Sequence, residues 1–371
     1  MASTRRIFGR LDVMESQNPP AQAGQGSPIA PLSGAIFSGE MIPPRRIQES
    51  SMIHIVDAEV AERLLTPGSA IALVRECFTA LDDGSSIAFP SVRGHGSDPS
   101  TRFGVKAGFD GQRRIPGLKV GSYWPGNTAR GLPNHGSTTL LLDDATGFPI
   151  ALVAATHLNA LRTAASDAVA VDALARSDAS VLALFGTGNQ VFHEAVAITH
   201  VRPLSQIYVC GRTPDKAMAL VSRLREAGFS AEASQPAEAL ARADIIVTAT
   251  ASREPLFDQH EVRPGTHISA MGADGPGKQE LSPALAARAH LYADSLDQCF
   301  TIGEFQYLAA TADEARVATI GAVLNGRAEG RTADDQITVY DSSGIALQDI
   351  SVAAHVFERA KALGMTTRAN V

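Results

Sequence analysis

Residues 181–190 read VLALFGTGNQ, a short apolar run that stops at Gly186 and is followed at once by a helix-like stretch over 191–200. Gly186 allows a tight turn, and Gly188 removes the side chain that would block a pyrophosphate from reaching the backbone. The N-terminus of the following helix offers free N–H groups and a positive dipole end to phosphates. The stretch therefore predicts the strand–turn–helix of a dinucleotide-binding βαβ unit.

The glycine motif is incomplete, because Val191 stands where the third glycine of G-x-G-x-x-G would be. Taken alone, it is equally typical of a glycine-rich turn without a ligand. The segments that follow favour the dinucleotide interpretation: a second strand over 206–210, a helix, and a third strand over 245–247 that ends in Thr-Ala-Thr. Strands and helices alternate from Val181 to about Ile337, which predicts a parallel sheet covered on both faces.

The composition limits the classes of protein to which the chain can belong. Its 371 residues suggest two domains, and a hydrophobic fraction of 44% is enough for substantial cores. The formal net charge of −7 argues against a nucleic-acid partner, and no apolar run approaches the length of a membrane span. The three cysteines have no metal-ligand spacing and are typical of a reducing compartment. We therefore expect a cytoplasmic protein without a metal.

The part of the chain before the nucleotide unit divides into an extension and a folded region. Residues 1–51 are rich in Pro, Gly, Ser and Arg, have no periodicity, and are interpreted as a disordered N-terminal extension. Residues 57–83 have a helical pattern interrupted at Thr66–Pro67, where Thr66 can cap the second helix. Strand-like segments separated by Gly and Asp turns follow and predict a mostly antiparallel sheet. A long alanine-rich helix over 155–176 then leads into the nucleotide unit.

These patterns together predict an α/β fold with two domains. We expect a Rossmann-like dinucleotide-binding domain over 166–337. A smaller α+β domain, for substrate binding and dimerisation, is expected to combine 52–165 with 338–371. The antiparallel sheet has few obvious edge protections, so pairing with a second subunit is expected there.

Eight segments in a fixed order carry a family resemblance that spans nearly all of residues 52–364. In combination they resemble the ornithine cyclodeaminase/μ-crystallin family, which implies a nicotinamide cofactor and a homodimer. The stretch VKAGFDG…GLKVGSYWPGN, with NHGST after it, is more similar to the family's iminosuccinate reductases than to its cyclodeaminases. The segments are GLKVGSYWPGN (117–127), GLPNHGSTTLLLDDATG (131–147), ALRTAASDAVA (160–170), GTGNQ (186–190), ADIIVTAT (243–250), PGTHISAMGADGPGKQEL (264–281), GE (303–304) and TVYDSSGIALQD (338–349).

The resemblance also implies roles for individual residues. Lys119 matches the lysine that holds the carboxylate–imine end of an α-imino acid, and Arg93 matches an arginine that pairs with the substrate carboxylate. Asp274 matches the acid/base residue beside the substrate nitrogen, and His135 is a candidate for lining the site. The positions that line the cofactor, besides the two glycines of the turn, are Asn134, Arg162, Asn189, Gln190, Thr250, Met271, Gly272 and Lys278.

The residue chemistry supports these roles independently of the resemblance. Reduction of a C=N bond requires a hydride donor, a cationic clamp for the carboxylate and a proton source near the nitrogen. Lys119 and Arg93 are suitable cations, and Asp274 follows a strand at the edge where doubly wound sheets bind ligands. Each residue also has a structural alternative. Lys119 and Arg162 could be surface residues, Asp274 a turn former, and His135 a donor to a backbone carbonyl.

The end of the second strand bears on the choice of cofactor. NAD-preferring folds usually place Asp or Glu there for the ribose hydroxyls, whereas this chain continues Gly211-Arg212-Thr213-Pro214. Arg212 and Thr213 are suited to a 2′-phosphate, with Lys216 one turn into the next helix as support. We therefore expect NADP(H) as the favoured cofactor. If Arg212 instead stacks on the adenine, NAD(H) is accepted.

Lys106, in RFGVKAGF, bears on the substrate. Cyclodeaminases carry a glutamate at about this place, which suits a distal amino group, whereas a lysine repels ornithine and attracts a second carboxylate. The structural alternative is a solvated strand residue. We therefore predict an NAD(P)H-dependent imine reductase or amino-acid dehydrogenase for a small α-imino acid, such as iminosuccinate. Two other functions remain open: a cyclodeaminase-type lyase that uses NAD as an internal oxidant and releases ammonia, and a non-catalytic NADPH-binding protein.

Overall fold

A computed structural model describes residues 52–370, and the extension predicted over 1–51 lies outside the described residues. Two eight-stranded sheets carry the fold. Within the described range no single helix is long and apolar enough to cross a membrane. One pair of helices bent by 84°, Ala58–Leu64 with Pro67–Asp82, has the length and composition of a broken span.

The first sheet, called the mixed sheet below, contains the N-terminal strands and the last strand of the chain. Its strands are β1 (Met52–Val56), β2 (Ile87–Ala88), β3 (Val92–Gly94), β4 (Arg102–Asp110), β5 (Ile115–Tyr123), β6 (His135–Leu142), β7 (Pro149–Ala154) and β16 (Thr367–Asn370). They lie in the order β16-β1-β7-β6-β5-β4-β2, with β3 also paired to β4. All pairs are antiparallel except β1 with β7, which is parallel. The predicted antiparallel meander is therefore present from β4 to β7.

The second sheet is parallel throughout and contains the predicted dinucleotide unit. Its strands are β8 (Val181–Phe185), β9 (Gln206–Cys210), β10 (Ala231–Ala233), β11 (Ile245–Thr248), β12 (His267–Ala270), β13 (Ala289–Ala293), β14 (Val317–Thr319) and β15 (Ile337–Asp341). The order is β10-β9-β8-β11-β12-β15-β13-β14. From β8 the chain proceeds to β9 on one side and returns to β11 on the other. A topological switch point therefore lies at the carboxyl end of β8, where such sheets bind ligands.

Nine helices within the described residues pack around the two sheets. They are α1 (Ala58–Leu64), α2 (Pro67–Asp82), α3 (Thr156–Leu174), α4 (Asn189–Ile198), α5 (Pro214–Glu226), α6 (Pro236–Leu240), α7 (Leu296–Ile302), α8 (Ile320–Leu324) and α9 (Ala346–Ala362). Thr66 caps α2 as predicted, because its Oγ1 accepts from the N–H of Ser69 at 3.2 Å. Helix α3 packs against β6 of the mixed sheet and β12 of the parallel sheet, and α9 packs on β4 and β5.

The predicted fold class is confirmed, since a parallel Rossmann-like sheet stands beside a second, mixed sheet. The predicted boundary between residues 337 and 338 falls inside β15, whose five residues belong to the parallel sheet. The division into two domains stays a proposal, and β15 pairs within the parallel sheet as far as Asp341. Pairing decides this point because β15 lies between β12 and β13.

Candidate active site

Two lysines face each other on the inner side of the mixed sheet. Lys106 on β4 lies directly opposite Lys119 on β5, so both side chains are on the same face. Lys119 is 5% exposed, which is not the environment of a surface lysine. Its Nζ donates to Oδ1 of Asn159 at 2.8 Å and lies 2.7 Å from a carboxylate oxygen of Asp349.

Asp349 brings a second predicted residue to this pocket. Its other carboxylate oxygen accepts from Nε of Arg162 at 2.9 Å, and Arg162 also donates to Gln348 at 3.0 Å and to Asn159 at 2.6 Å. Arg162 is buried, so it is not in a surface ion pair. Asp349 lies in the first turn of α9, where the helix dipole favours a carboxylate. The contacts place Arg162, predicted to line the cofactor, beside Lys119.

Lys106 is held by a turn that precedes α9. Its Nζ donates to the carbonyl oxygens of Ser343 at 3.2 Å and Gly344 at 2.5 Å. The buried carboxylate of Asp294 accepts from the Ser343 hydroxyl at 2.7 Å and from the Gly344 N–H at 2.6 Å, which fixes the turn. Gly344 has a φ of +73°, and a Cβ there would lie 2.8 Å from a guanidinium nitrogen of Arg162. The turn therefore lies against both cations, and Lys106 is not a solvated strand residue.

Burial perturbs the charges of this pocket strongly. Loss of hydration lowers the pKa of Lys119 to about 7, against the opposing attraction of Asp349. Burial lowers the pKa of Lys106 to about 8, with the charge of Arg162 acting in the same direction. Burial alone would raise the pKa of Asp349, but the neighbouring cations outweigh it and the pKa is lowered. An anionic ligand would relieve the repulsion between these three cations.

Two buried hydroxyls complete the inner face of the sheet. Thr139 on β6 lies directly opposite Lys119 in the next ladder, and Ser137 lies two residues before it. Neither side-chain oxygen has a hydrogen-bond partner among the described residues. Buried hydroxyls are normally bonded, so this pair is suited to a polar group that enters the pocket.

Asp274 lies in the loop after β12, where Lys278 and Arg93 anchor it. Lys278 donates to the Asp274 carboxylate at 2.5 Å and to the Gly272 carbonyl at 3.1 Å, and Arg93 donates to the Asp274 carbonyl at 2.7 Å. Partial burial would raise the pKa of Asp274, but the charge and hydrogen bond of Lys278 lower it. The Asp274 side chain is 62% exposed and is held as a carboxylate. Its carboxylate pairs with a cation of the same loop, and its acid/base role stays a prediction.

The glycine turn has the shape that a dinucleotide requires. Gly186 has a φ of +129°, and a Cβ on it would lie 2.7 Å from the carbonyl oxygen of Ala249. No atom lies within 4 Å of the place that a Cβ on Gly188 would occupy, so the space beside this turn is open. Gly188 is the N-cap of α4 and makes no side-chain cap. The first N–H groups of α4 are thus suited to a pyrophosphate, and Asn189 and Gln190 begin the helix.

A cleft of about 220 Å³ follows at the carboxyl ends of β9 and β10. Gly211 lines it, and a Cβ there would lie 2.4 Å from the side-chain methyl of Thr187, so a larger residue would require Thr187 to move. Arg212 and Thr213 follow with exposed side chains, and Glu238 lines the opposite part of the cleft. The cleft lies at the end of the second strand of the Rossmann unit, and in Rossmann folds the adenosine ribose binds at this place.

A buried glutamate joins the two loops at the other side of the switch point. Glu280 accepts from the N–H of Thr250 at 2.6 Å, the N–H of Gly272 at 2.9 Å and the hydroxyl of Thr248 at 2.8 Å. Burial raises the pKa of Glu280. The clamp fixes the backbone of the loops after β11 and β12, so Thr250, Gly272 and Met271 lie together, and their role in lining a cofactor stays a prediction.

Comparison with known proteins agrees with this arrangement. The model of the ornithine cyclodeaminase/mu-crystallin family matches residues 49–364. This chain belongs to that family. The predicted enzyme class, an NAD(P)-dependent oxidoreductase that acts on CH–NH groups, is confirmed with it.

Three family relatives define the level of similarity. The iminosuccinate reductase of Paracoccus denitrificans is 37% identical over 322 residues, which cover 86% of this chain and 100% of the relative. Its crystal structure with NAD+ superposes with a TM-score of 0.82, at 36% identity and the same coverage. A dimeric archaeal alanine dehydrogenase with bound NAD has a TM-score of 0.81 and 32% identity, covering 86% of this chain and 99% of that one.

The third relative is the Δ1-pyrroline-2-carboxylate reductase of Thermococcus litoralis in complex with NADH and L-proline. It superposes with a TM-score of 0.80 at 26% identity, covering 86% of this chain and 100% of that one. Both termini of the family match lie within a few residues of the described range. The similarity therefore covers the pocket and the glycine turn together.

The predicted site residues are of two kinds, those expected to bind the substrate and those expected to line the cofactor. Lys106, Lys119 and Arg162 share the buried pocket, and Arg93 with Asp274 lies at the 272–278 loop. His135 stands at the start of β6 beside Tyr123, with its pKa lowered by burial and by the charge of Lys119. The residues predicted to line the cofactor are Gly186, Gly188, Asn189, Gln190, Arg212, Thr213, Thr250, Met271, Gly272 and Lys278. The roles of both groups remain predictions.

Asn134 is placed differently from the rest of the predicted cofactor group. Its side-chain oxygen accepts from the N–H and the hydroxyl of Thr128, both at 3.0 Å, within the loop before β6. This bonding leaves its amide nitrogen for any contact with a cofactor. Asn189 is likewise bonded, since its side-chain oxygen accepts from Arg223 at 2.8 Å.

Sequence reasoning missed the acidic residues that organise the site. Asp349, Asp294 and Glu280 were not selected, although Asp349 and Glu280 fall within quoted family segments. Asn159 and Thr139 were missed as well. One signal was available in the sequence. Asp349 is in the first turn of the helix that follows the Ser-Ser-Gly turn, and a buried carboxylate there needs cationic partners.

Proposed function

We propose that the chain is an NAD(P)H-dependent reductase of a small α-imino acid that carries a second carboxylate, with iminosuccinate as the fitting example. The observation that carries the proposal is that the half-buried Lys106 and the buried Lys119 lie opposite each other on one sheet face. Lys119 and Arg162 both pair with the carboxylate of Asp349, and the charge of Lys106 acts on the same carboxylate. A dicarboxylate supplies the charge that such a pocket attracts.

The pocket residues divide the work of reduction. When bound, the reduced nicotinamide supplies the hydride. Lys119 and Arg162 bind the α-carboxylate, with Arg93 at the opening, and the Thr139 hydroxyl accepts or donates a further hydrogen bond. Asp274, held as a carboxylate by Lys278, stabilises a protonated imine nitrogen electrostatically, and the nitrogen keeps its protons when hydride adds to the neighbouring carbon to give the amine.

Lys106 would bind the distal carboxylate. Its ammonium already donates to two backbone carbonyls and has a third proton to give. The turn that Asp294 anchors holds Lys106 at a fixed position. The pocket would therefore select substrates by length as well as by charge. An ornithine side chain would place a cation against this lysine.

The cofactor preference is proposed to be NADP(H). Gly211 has no carboxylate for the ribose hydroxyls, and the exposed Arg212, Thr213 and Lys216 are suited to a 2′-phosphate. Glu238 in the same cleft and the NAD found in relatives make NAD(H) the alternative. The ratio of KM for NADPH to KM for NADH distinguishes them.

We also propose a homodimer that buries the outer face of the mixed sheet. Val92, Phe103, Val120 and Leu152 are exposed on that face, and the ladders place Val92, Val105 and Val120 in a row. A contiguous apolar patch of this kind marks an interface. The archaeal alanine dehydrogenase relative is a dimer.

The test is a comparison of amine acceptors. Oxidation of NADPH and NADH is followed with oxaloacetate, pyruvate or glyoxylate in ammonia, and ammonia release from ornithine is assayed in parallel. We expect oxaloacetate to give the highest kcat/KM. Lys106→Glu should lower kcat/KM for oxaloacetate roughly 100-fold and spare pyruvate. Lys361→Met, on the surface of α9, is the control.

Other outcomes would assign the chain differently. Ammonia released from ornithine without net cofactor change would identify a cyclodeaminase-type lyase. NADPH binding without turnover of any acceptor would identify a binding protein. Higher activity with pyruvate than with oxaloacetate, unchanged in Lys106→Glu, would contradict the proposed role of Lys106.

A further inference from the structure

Two carboxyl side chains meet in the contact between α3 and α4, outside the pocket described above. Asp167 on α3 and Glu194 on α4 are both fully buried. Apart from each other and the Ser269 hydroxyl, both carboxylate oxygens of Asp167 and one of Glu194 have no hydrogen-bond partner among the described residues. Two ionised carboxylates cannot share a buried site without a compensating charge or proton.

The surroundings of the pair do not supply that charge. The Ser269 hydroxyl lies beside Asp167 and is bonded to Nε2 of His267 at 3.1 Å. Burial lowers the pKa of His267 to about 3, so its ring is neutral. Arg162 is the cation that faces Glu194, and its guanidinium is bonded to residues of the pocket. A proton between the two carboxyl groups is the remaining compensation.

The second oxygen of Glu194 connects the pair to the glycine turn. It accepts from the Gln190 amide at 2.7 Å, and the same amide donates to the Ala160 carbonyl on α3 at 3.1 Å. Ala160 adjoins Asn159, which binds Lys119. Glu194 therefore ties the first turn of α4 to the part of α3 that enters the pocket.

We propose that Asp167 and Glu194 share one proton at neutral pH, and that Glu194 acts through Gln190 as a positioning residue for the pyrophosphate-binding start of α4. The second half of this inference rests on the proposed cofactor site. The first half concerns the protein alone. The shared proton lets two acids pack against each other, and the amide then fixes the position of α4 relative to α3.

Amide variants test the shared proton, because an amide resembles a protonated acid. Glu194→Gln can still accept from Gln190 and donate to Asp167, so its affinity for NADPH or NADH should stay within about twofold of the parent. Glu194→Ala loses both bonds and should bind the cofactor about fivefold to tenfold more weakly. Affinity is measured by calorimetry without substrate. Asp172→Asn, a half-exposed residue of α3, is the control.

The proton itself is counted without any cofactor. Burial raises the pKa of Asp167 from 3.8 to about 7, and burial with the Asp167 charge raises that of Glu194 well above its usual range. At pH values between the usual carboxyl pKa and these raised pKa values, the native state therefore holds a proton that the unfolded chain has released. The stabilising contribution of the pair falls as pH rises through that window. Urea unfolding is measured across this pH window in the parent and in the double variant Asp167→Asn/Glu194→Gln. The free energy of unfolding should fall with pH more steeply in the parent, by a slope that corresponds to at least one proton.

The outcomes separate the two halves of the inference. Equal pH slopes in the parent and the double amide variant would overturn the shared proton. A cofactor affinity of Glu194→Gln as weak as that of Glu194→Ala would overturn it as well. An unchanged affinity in folded Glu194→Ala would overturn the positioning role. If neither the parent nor any variant binds a dinucleotide, the proposed function is wrong. The shared proton is still tested, because the pH dependence of unfolding is measured without cofactor.

Discussion

Lys119 shows how one side chain acquires its chemistry from its neighbours. It is buried opposite Lys106 and pairs with Asp349, so its ammonium loses hydration while it gains one counter-charge. Desolvation dominates, and the pKa values fall to about 7 for Lys119 and about 8 for Lys106. Both lysines therefore change charge close to neutral pH, where a free lysine stays protonated.

Binding of a dicarboxylate should weaken as pH rises through these values. The charged form of each lysine exists below its pKa, so the pocket loses first one and then a second positive charge between about pH 7 and 8. We expect the inhibition constant of succinate, which forms no imine, to rise by up to about tenfold per pH unit between the two pKa values and by up to about 100-fold per pH unit above both. Lys106→Met should remove the upper step, whereas a constant value up to pH 9 would contradict the assignment.

At the scale of the element, Gly186 and Gly188 have different roles in the turn between β8 and α4. Gly186 allows β8 to turn tightly under Ala249, whereas Gly188 leaves space beside the N-terminus of α4. The first duty concerns the backbone of the protein itself. The second concerns a ligand, because nothing in the described chain occupies that space.

Paired alanine substitutions should separate these duties. Gly186→Ala forces a side chain into a positive-φ conformation and against a carbonyl, and should lower the free energy of unfolding by about 1–3 kcal/mol. Gly188→Ala should change it by less than about 0.5 kcal/mol but weaken NADPH and NADH binding at least about tenfold. Urea denaturation and calorimetry measure the two effects. Equal losses of stability would show that Gly188 is only structural.

The Glu280 clamp joins the loops that follow the neighbouring strands β11 and β12. Glu280→Ala leaves the N–H groups of Thr250 and Gly272 without their partner, and should cost about 2–5 kcal/mol of unfolding free energy. Glu280→Gln keeps one acceptor and should cost less. Thermal unfolding with and without cofactor checks this prediction, and equal effects of both substitutions would contradict the clamp.

At the scale of the whole molecule, the mixed sheet has two contrasting faces. The inner face packs against α9 and encloses the lysine pocket, whereas the outer face exposes Val92, Phe103 and Val120. Since the strands alternate their side chains, one sheet can serve a polar pocket and an apolar interface at once.

The proposed dimer predicts a specific effect of charge on the outer face. Val120→Asp should convert the dimer to monomers in sedimentation velocity, because a carboxylate would be buried without a partner at the interface. Met218→Asp places the same charge on an exposed residue of α5 and should leave the dimer intact. A parent that sediments as a monomer would refute this interface.

Local patterns determined a large part of the fold. Strand β9 occupies the predicted residues 206–210, and Thr66 caps α2 at the predicted position, because apolar runs, caps and glycine turns act over a few neighbouring residues. The order of family segments also predicted the fold class. The predicted boundary at 337/338 falls inside β15, because pairing with β12 and β13 decides to which sheet β15 belongs.

The sequence by itself determined the dinucleotide turn, the alternation of strands and helices, and the identity of Lys106, Lys119 and Asp274 as candidates. Only the tertiary structure decided that Arg162 joins the lysine pocket through Asp349, 187 residues away along the chain. It also decided the lysine pKa values and the Asp167–Glu194 contact. The physical reason is that burial and ion pairing depend on segments that meet only after the two sheets and their helices have packed.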